Sequence, residues 1–169
     1  MDAYIAKKHP VIISVNLLTK DYPITCAYFS NKKRYQYWKS ASRFKQYKRI
    51  ITSNISTETE DNELVVDFNS LVKCGWAQLD NSGVLLLRLL DRLDVSSIAI
   101  AGFDGYSHDH GDNYVQQNME KTRNTLNANE ANSEVTSMLE DYKNTRASAC
   151  PVFFITPSRF ESVFGGEPE

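Results

Sequence analysis

Residues 81–105, NSGVLLLRLLDRLDVSSIAIAGFDG, decide the fold class of this chain. Asn81 or Ser82 is suited to cap a helix that runs to Leu93 and is apolar on nearly every side. Such a helix needs cover on several faces. The run at residues 97–101 then predicts a buried strand, which we expect to be central in its sheet. A buried helix followed by a buried strand is typical of α/β proteins.

Apolar strands and helices alternate along the rest of the chain. The pattern predicts the end of a helix in residues 1–9, and further strands at 11–15, 24–30, 49–52 and 151–155, with another candidate at 63–68. Further helices are predicted from Asn31 along Tyr35, Trp38 and Ala41, and from Asn132 along Val135, Met138, Leu139 and Tyr142. The alternation predicts a three-layer, Rossmann-like α/β domain with a mainly parallel sheet, in which ligands bind beyond the carboxyl ends of the strands.

The composition of the 169 residues is that of an ordinary globular protein, with 41% hydrophobic residues, 24% charged residues and a net charge of -2. The length predicts a single domain over residues 1–169, which we interpret as part of a longer chain. The longest apolar run, residues 84–87, is too short for a membrane helix, and no basic-then-apolar leader opens the sequence. We therefore expect a cytoplasmic protein, in which Cys26, Cys74 and Cys150 are free thiols, mostly buried.

The segment 32–49 is strongly basic, with eight Lys and Arg residues, no acidic residue and five interleaved aromatic residues. One interpretation is a solvated helix whose aromatic side chains pack on the sheet. Another is a surface that binds phosphate or a nucleotide-sugar, with Arg34 as a ligand contact. Docking of a partner protein is a third, and nucleic acid is disfavoured because the chain has a pI of about 5.9.

Residues 104–112, DGYSHDHGD, combine carboxylates and imidazoles in a loop with two glycines. This composition suits an acid/base pair or ligands for a divalent metal, but it is also typical of a solvated loop. The regular spacing of a helical metal pair is absent, so we predict no metal site, and we identify no catalytic residue or cofactor. Asp104 is the best candidate because it follows a buried strand, and Gly102 lies at the same strand end.

Several enzyme classes are disfavoured because the chain has no glycine-rich phosphate loop, no Gly-x-Ser-x-Gly elbow and no Cys-x-x-Cys pair. Ser82 and Gly83 begin the apolar helix, where backbone amides could face an anion. A plain helix cap is the alternative for these two residues.

Four segments carry a resemblance to known proteins: residues 15–16 (VN), 29–35 (FSNKKRY), 81–83 (NSG) and 98–106 (IAIAGFDGY). Together they resemble the C-terminal domain of some bacterial 4-hydroxy-2-oxovalerate aldolase-like proteins. More distantly, they are similar to the Rossmann-like domains of bacterial sialyltransferases and pterin-diphosphokinase-like proteins. The similarity extends over residues 10–160.

The resemblance implies both a ligand and a partner. In the sialyltransferase-like group, strand-end asparagines and the Ser-Gly turn contact the nucleotide of the sugar donor, and the aspartate and tyrosine lie by the sugar. This implies ligand-binding roles for Asn16, Asn31, Ser82, Gly83, Asp104 and Tyr106. The aldolase resemblance implies an accessory domain whose partner is an N-terminal aldolase-like barrel of the same polypeptide, where any lyase activity would lie.

We therefore expect binding of a nucleotide, nucleotide-sugar or other phosphorylated ligand. An interaction module that uses the basic aromatic segment 32–49, and a remnant glycosyltransferase, are the alternatives. His108 and His110 have the spacing of the metal-binding histidine pair of aldolase barrels. The chain does not form such a barrel by itself, because a barrel of that kind needs about 250 residues, so we give the match no weight.

Overall fold

A computed structural model of the protein describes residues 1–56, 58–78, 80–107 and 127–166. The helices are α1 (Asp2–Lys8), α2 (Lys32–Lys39), α3 (Ser82–Arg92), α4 (Ala128–Thr145) and α5 (Glu161–Phe164). The strands are β1 (Ile13–Val15), β2 (Cys26–Phe29), β3 (Lys48–Thr52), β4 (Glu63–Val66), β5 (Ile98–Ile100) and β6 (Val152–Phe154). Neighbouring strands pair in parallel throughout this part of the chain. The predicted α/β class with a parallel sheet is confirmed.

Contacts between residues divide the chain into two compact units. We call residues 8–73 the sheet unit, and residues 1–7 with 74–169 the helical unit. The single domain expected over residues 1–169 stays a prediction.

The sheet unit contains a four-stranded sheet in which the strands lie side by side in chain order, β1-β2-β3-β4. Helix α2 connects β2 to β3 and begins where the sequence predicts, because the Asn31 side chain accepts a hydrogen bond from the Arg34 amide at 3.1 Å. Tyr35 and Trp38 are the buried residues of α2.

Aromatic rings form much of the core of the sheet unit. Phe29 of β2, Tyr35 of α2 and Phe44 lie with ring centroids 5.4 to 6.2 Å apart, within the range of favourable aromatic pairs. The interpretation that the aromatic side chains of segment 32–49 pack on the sheet is therefore confirmed for Tyr35, Trp38 and Phe44, all of which are buried.

The last basic residue of that segment is not part of any surface. Arg49 lies in β3 and pairs with Glu63 of β4 at 2.9 Å, and both side chains are almost fully buried. The guanidinium also donates to the carbonyl oxygens of Phe44, Tyr47 and Asp61. The interpretation of segment 32–49 as one exposed basic surface is wrong at Arg49, because the adjacent strand supplies a carboxylate that makes burial of the charge possible.

The helical unit packs α3, α4 and α5 on β5 and β6. Asn81 is the N-cap of α3, since its side chain accepts from the Gly83 amide at 2.7 Å. Within the described ranges β5 pairs with β6 alone, so the prediction of a central strand at residues 97–101 is wrong there. An ion pair between Arg88 of α3 and Asp80 is buried in this unit. Its apolar core includes Val84, Leu87, Ile98, Val135, Met138, Leu139, Val152, Phe154 and Val163.

Helix α4 begins earlier than the sequence predicts. It starts at Ala128, because Asn127 and Glu130 form a reciprocal capping box one turn before Asn132. All three cysteines are free as expected, although Cys74 is exposed and Cys26 only half-buried. In the described part of the chain, no helix combines the length and apolarity needed to cross a membrane.

Candidate functional site

The carboxyl ends of β5 and β6 meet at one edge of the helical unit because the two strands are parallel. An open groove of about 700 Å³ lies there. It is lined by Gly102 and Asp104, which follow β5, by Thr156, Pro157, Ser158 and Arg159, which follow β6, and by Glu161 of α5. Two residues that the sequence predicts as ligand contacts, Gly102 and Asp104, therefore lie in one groove at the expected strand edge.

Hydroxyl groups join the two loops that form the groove. The Thr156 hydroxyl accepts a hydrogen bond from the Gly102 amide at 3.0 Å. The Ser158 hydroxyl donates to the Phe103 carbonyl at 2.7 Å and accepts from the Phe160 amide at 3.1 Å. The bonds to Gly102 and Phe103 hold the backbone that leads into Asp104 against the loop that follows β6.

The glycine at position 105 leaves room for the Arg159 side chain beside Asp104. Its φ of +88° is a conformation that favours glycine. A Cβ atom at Gly105 would lie only 2.9 Å from Cδ of Arg159 and 2.8 Å from Oδ1 of Asn132. The stem of Arg159 therefore lies against the backbone immediately after Asp104, at a distance that a larger residue would not allow.

Asp104 and Arg159 are both exposed. Among the described residues, neither charged group takes part in an ion pair, although the two residues line the same groove. Both charges thus face solvent in the groove, where a ligand can reach them.

Tyr106 does not line the groove. Its backbone amide donates to Oδ1 of Asn132 at 2.7 Å, and its carbonyl accepts from Nδ2 of the same side chain at 2.8 Å. The half-buried Tyr106 side chain packs against the core of the helical unit. The structure gives Tyr106 a packing role, and its expected ligand contact stays a prediction.

Ser82 and Gly83 also lie outside the groove lining. A Cβ atom at Gly83 would come within 2.6 Å of the Phe103 ring, so close packing accounts for glycine at this position. Because Asn81 already bonds to the Gly83 amide, the plain cap is the alternative with direct structural support. An anion contact at this helix start stays a prediction.

The other three predicted contacts lie in the sheet unit, at the carboxyl ends of β1 and β2. Asn16 adopts a φ of +55°, and its side chain accepts from the Ser30 amide at 3.3 Å. The Asn31 side chain bonds to the amide of Arg34, as described above. The structure brings Asn16 and Asn31 together around Ser30, with both side chains bonded to backbone. Asn54, which follows β3 and donates to the Ser30 carbonyl at 3.1 Å, belongs to the same cluster and was missed.

Apart from Arg34, which is half-buried and whose amide bonds to Asn31, the basic residues of segment 32–48 fall into two groups. Lys39 pairs with Glu60, and the Arg43 guanidinium lies 5.3 Å from the Trp38 ring centroid and donates to a backbone carbonyl. The second group comprises exposed lysines that have no ion pair with any described residue: Lys32, Lys33, Lys45 and Lys48.

The histidine-containing part of the loop, residues 108–112, lies outside the described residues, so its expected chemistry stays a prediction. In the ranges that are described, no three His, Cys, Asp or Glu side chains come together in a way that could hold a metal ion.

Comparisons of the chain with protein-family models, with curated proteins and with solved structures give no match. The geometry of the two units is therefore what a functional assignment rests on.

Proposed function

We propose that the protein is a cytoplasmic accessory domain that binds a nucleotide, a nucleotide-sugar or another phosphorylated ligand in the groove at the carboxyl ends of β5 and β6. One observation carries the proposal: the carboxylate of Asp104 is exposed in this groove and has no partner among the described residues. Ligands of open α/β sheets bind at this edge.

The groove suits a ligand that carries sugar hydroxyls. An ionised carboxylate only accepts hydrogen bonds, and the hydroxyls of a sugar or ribose donate them. No atom of the described residues lies within 4 Å of the place where a Cβ atom of Gly102 would be, so a ligand can approach the backbone there. Because the hydroxyls of Thr156 and Ser158 already brace the loops, little ordering is needed on binding.

The test is calorimetric titration of nucleotides linked to sugars, with uridine, cytidine and guanosine diphosphate sugars as the probes. Asp104→Asn keeps the shape of the side chain but removes its charge, and we expect it to weaken binding about tenfold or more. Glu140→Gln, an exposed change on α4 outside the groove, is the matched control and should bind as the unaltered protein does. Equal affinities of Asp104→Asn and the unaltered protein would contradict the proposal.

The resemblance of the sequence to aldolase-linked domains supports a second part of the proposal, that this domain serves an N-terminal aldolase-like barrel of the same polypeptide. The described strands form open parallel sheets, which is consistent with an accessory role beside such a barrel. Reading the gene upstream of the Met1 codon tests this. A continuous frame that encodes a barrel is the expected result, and an unrelated or separate frame would overturn it.

A second candidate function is docking of an acidic partner protein on the sheet unit. The exposed lysines 32, 33, 45 and 48 favour it, as does the composition of this unit, with eleven Lys and Arg residues against six Asp and Glu residues. Changing all four lysines to Gln should abolish binding of polyglutamate at low salt. Binding of an oligothymidine but not of polyglutamate would point to nucleic acid instead.

A further inference from the structure

We propose that Arg159 binds the phosphate of the ligand while Asp104 binds a neighbouring hydroxyl, so that the groove selects sugar phosphates over bare anions and over uncharged sugars. This inference rests on the proposed function of the same groove. It adds a residue that the sequence did not single out, and it narrows the class of ligand.

The charges of the groove support this division of roles. Among the described residues that line the groove, Arg159 is the one cation, and Asp104 and Glu161 are the anions. A phosphate in the groove would be repelled by both carboxylates, and its attraction to Arg159 would offset that repulsion. A guanidinium suits this task because its planar donors can bind two phosphate oxygens at once.

The positions of the side chains support it as well. The stem of Arg159 crosses Gly105 next to Asp104, yet no ion pair joins the two residues. A carboxylate and a guanidinium that line the same groove without pairing with each other can each bind a different group of one ligand. A sugar phosphate provides both groups on neighbouring carbon atoms, with an anion for Arg159 and a hydroxyl donor for Asp104.

The proposal gives Gly105 a specific role. Any side chain at position 105 would meet Cδ of Arg159 at 2.9 Å and would be strained at a φ of +88°. Gly105→Ala should therefore displace Arg159 and weaken binding of sugar phosphates, although Arg159 itself is unchanged.

The experiment compares three probes by calorimetry or ligand-observed NMR: glucose 1-phosphate, inorganic phosphate and methyl glucoside. The unaltered protein should bind glucose 1-phosphate more tightly than either of the others. Arg159→Gln should weaken the binding of glucose 1-phosphate about tenfold or more but leave the affinity for methyl glucoside unchanged. Asp104→Asn should weaken the binding of both glucose 1-phosphate and methyl glucoside. Arg159→Lys keeps the positive charge and should restore part of the binding that Arg159→Gln loses. Lys7→Gln, an exposed change that also removes one positive charge, is the control.

The outcomes separate this inference from the function on which it rests. If no nucleotide-sugar and none of the three probes binds, the proposed function fails and the inference fails with it. If a nucleotide-sugar binds but Arg159→Gln binds it and glucose 1-phosphate as tightly as the unaltered protein, the inference is overturned and the proposed function stands. Because Arg159 is exposed, the melting temperature of its variants should stay unchanged, which keeps a loss of binding interpretable.

Discussion

The two units differ in where they place their charges. The sheet unit has a net charge of +5 and the helical unit one of -7, although the whole chain has only -2. Each unit buries one arginine beside a carboxylate, Arg49 with Glu63 in the sheet unit and Arg88 with Asp80 in the helical unit. The rest of the two cores differs, because packed aromatic rings form much of the core of the sheet unit, whereas α3 and α4 supply mainly aliphatic side chains to the core of the helical unit. Two stretches of similar hydrophobicity are thus stabilised in part by different packing, and each unit should respond to substitutions in its own core.

The largest expected effect is in the sheet unit. Arg49→Ala leaves the buried Glu63 carboxylate without its partner, which typically costs about 3–5 kcal/mol. Each unit holds one of the two tryptophans, Trp38 and Trp76, so urea unfolding of a Trp76→Phe background reports on the sheet unit. Exposed Lys45→Ala is the control and should change the free energy of unfolding by less than about 0.5 kcal/mol.

The next effect is in the helical unit. Leu139 of α4 has no solvent exposure, so Leu139→Ala should lower the free energy of unfolding by about 2–5 kcal/mol through lost packing. Leu93→Ala, at a position 60% exposed, should cost much less. The Trp76 signal measures both variants. If Arg49→Ala and Leu139→Ala shift the Trp38 and Trp76 transitions equally, the units unfold as one cooperative domain, which is the outcome that a single domain over residues 1–169 requires.

A smaller, pH-dependent effect should distinguish the sheet unit. Burial alone would raise the pKa of Glu63, but hydrogen bonds from Arg49, the Glu60 amide and Tyr35 outweigh it and hold the pKa below its usual 4.5. A carboxyl group with a lowered pKa in the folded state contributes stability above the unfolded pKa, which is lost as the pH falls through the folded pKa.

The Trp38 signal should therefore show a loss of stability of the sheet unit as the pH falls below about 4.5. Glu63→Gln, which cannot titrate, should be less stable at neutral pH and should change less on acidification. If the stability of Glu63→Gln depends on pH as fully as that of the unaltered protein, other carboxylates cause the dependence.

The smallest expected effects come from the helix caps. Asn31→Ala in the sheet unit and Asn127→Ala in the helical unit should each cost about 1 kcal/mol, since each removes a side-chain bond to a free backbone amide. Asn127→Ala keeps the backbone amide that donates to the Glu130 carboxylate, so the second bond of the capping box is lost only when Glu130→Ala is added, and the double variant should be the least stable of the three. Chemical denaturation of the three variants checks the order, and a double variant as stable as Asn127→Ala would show that the second bond of the capping box adds nothing here.

Local signals in the sequence account for much of the fold. The apolar run that became α3, the strand positions and the cap at Asn31 are all predictable, because they depend on residues within about one turn of each other. The early start of α4 was missed, although Asn127 and Glu130 have the spacing of a capping box. That signal was present in the sequence.

Other features could not be predicted from local patterns. Arg49 is buried because β4 places Glu63 beside it, and Arg159 joins Asp104 in one groove because β6 ends beside β5. Both depend on strand pairing between distant residues. Asp104 was predictable as a strand-end residue, whereas the cation beside it was not.

The order of the strands also has a consequence for how the chain folds. In the sheet unit, paired strands are 13, 22 and 14 residues apart in the chain, whereas β5 and β6 are 54 residues apart. Closing a longer loop costs more entropy, and sheets built from distant pairings form more slowly. During synthesis we therefore expect the first sheet to assemble strand by strand as it leaves the ribosome. The groove can form only after the residues that follow β6, up to Glu161, have been made.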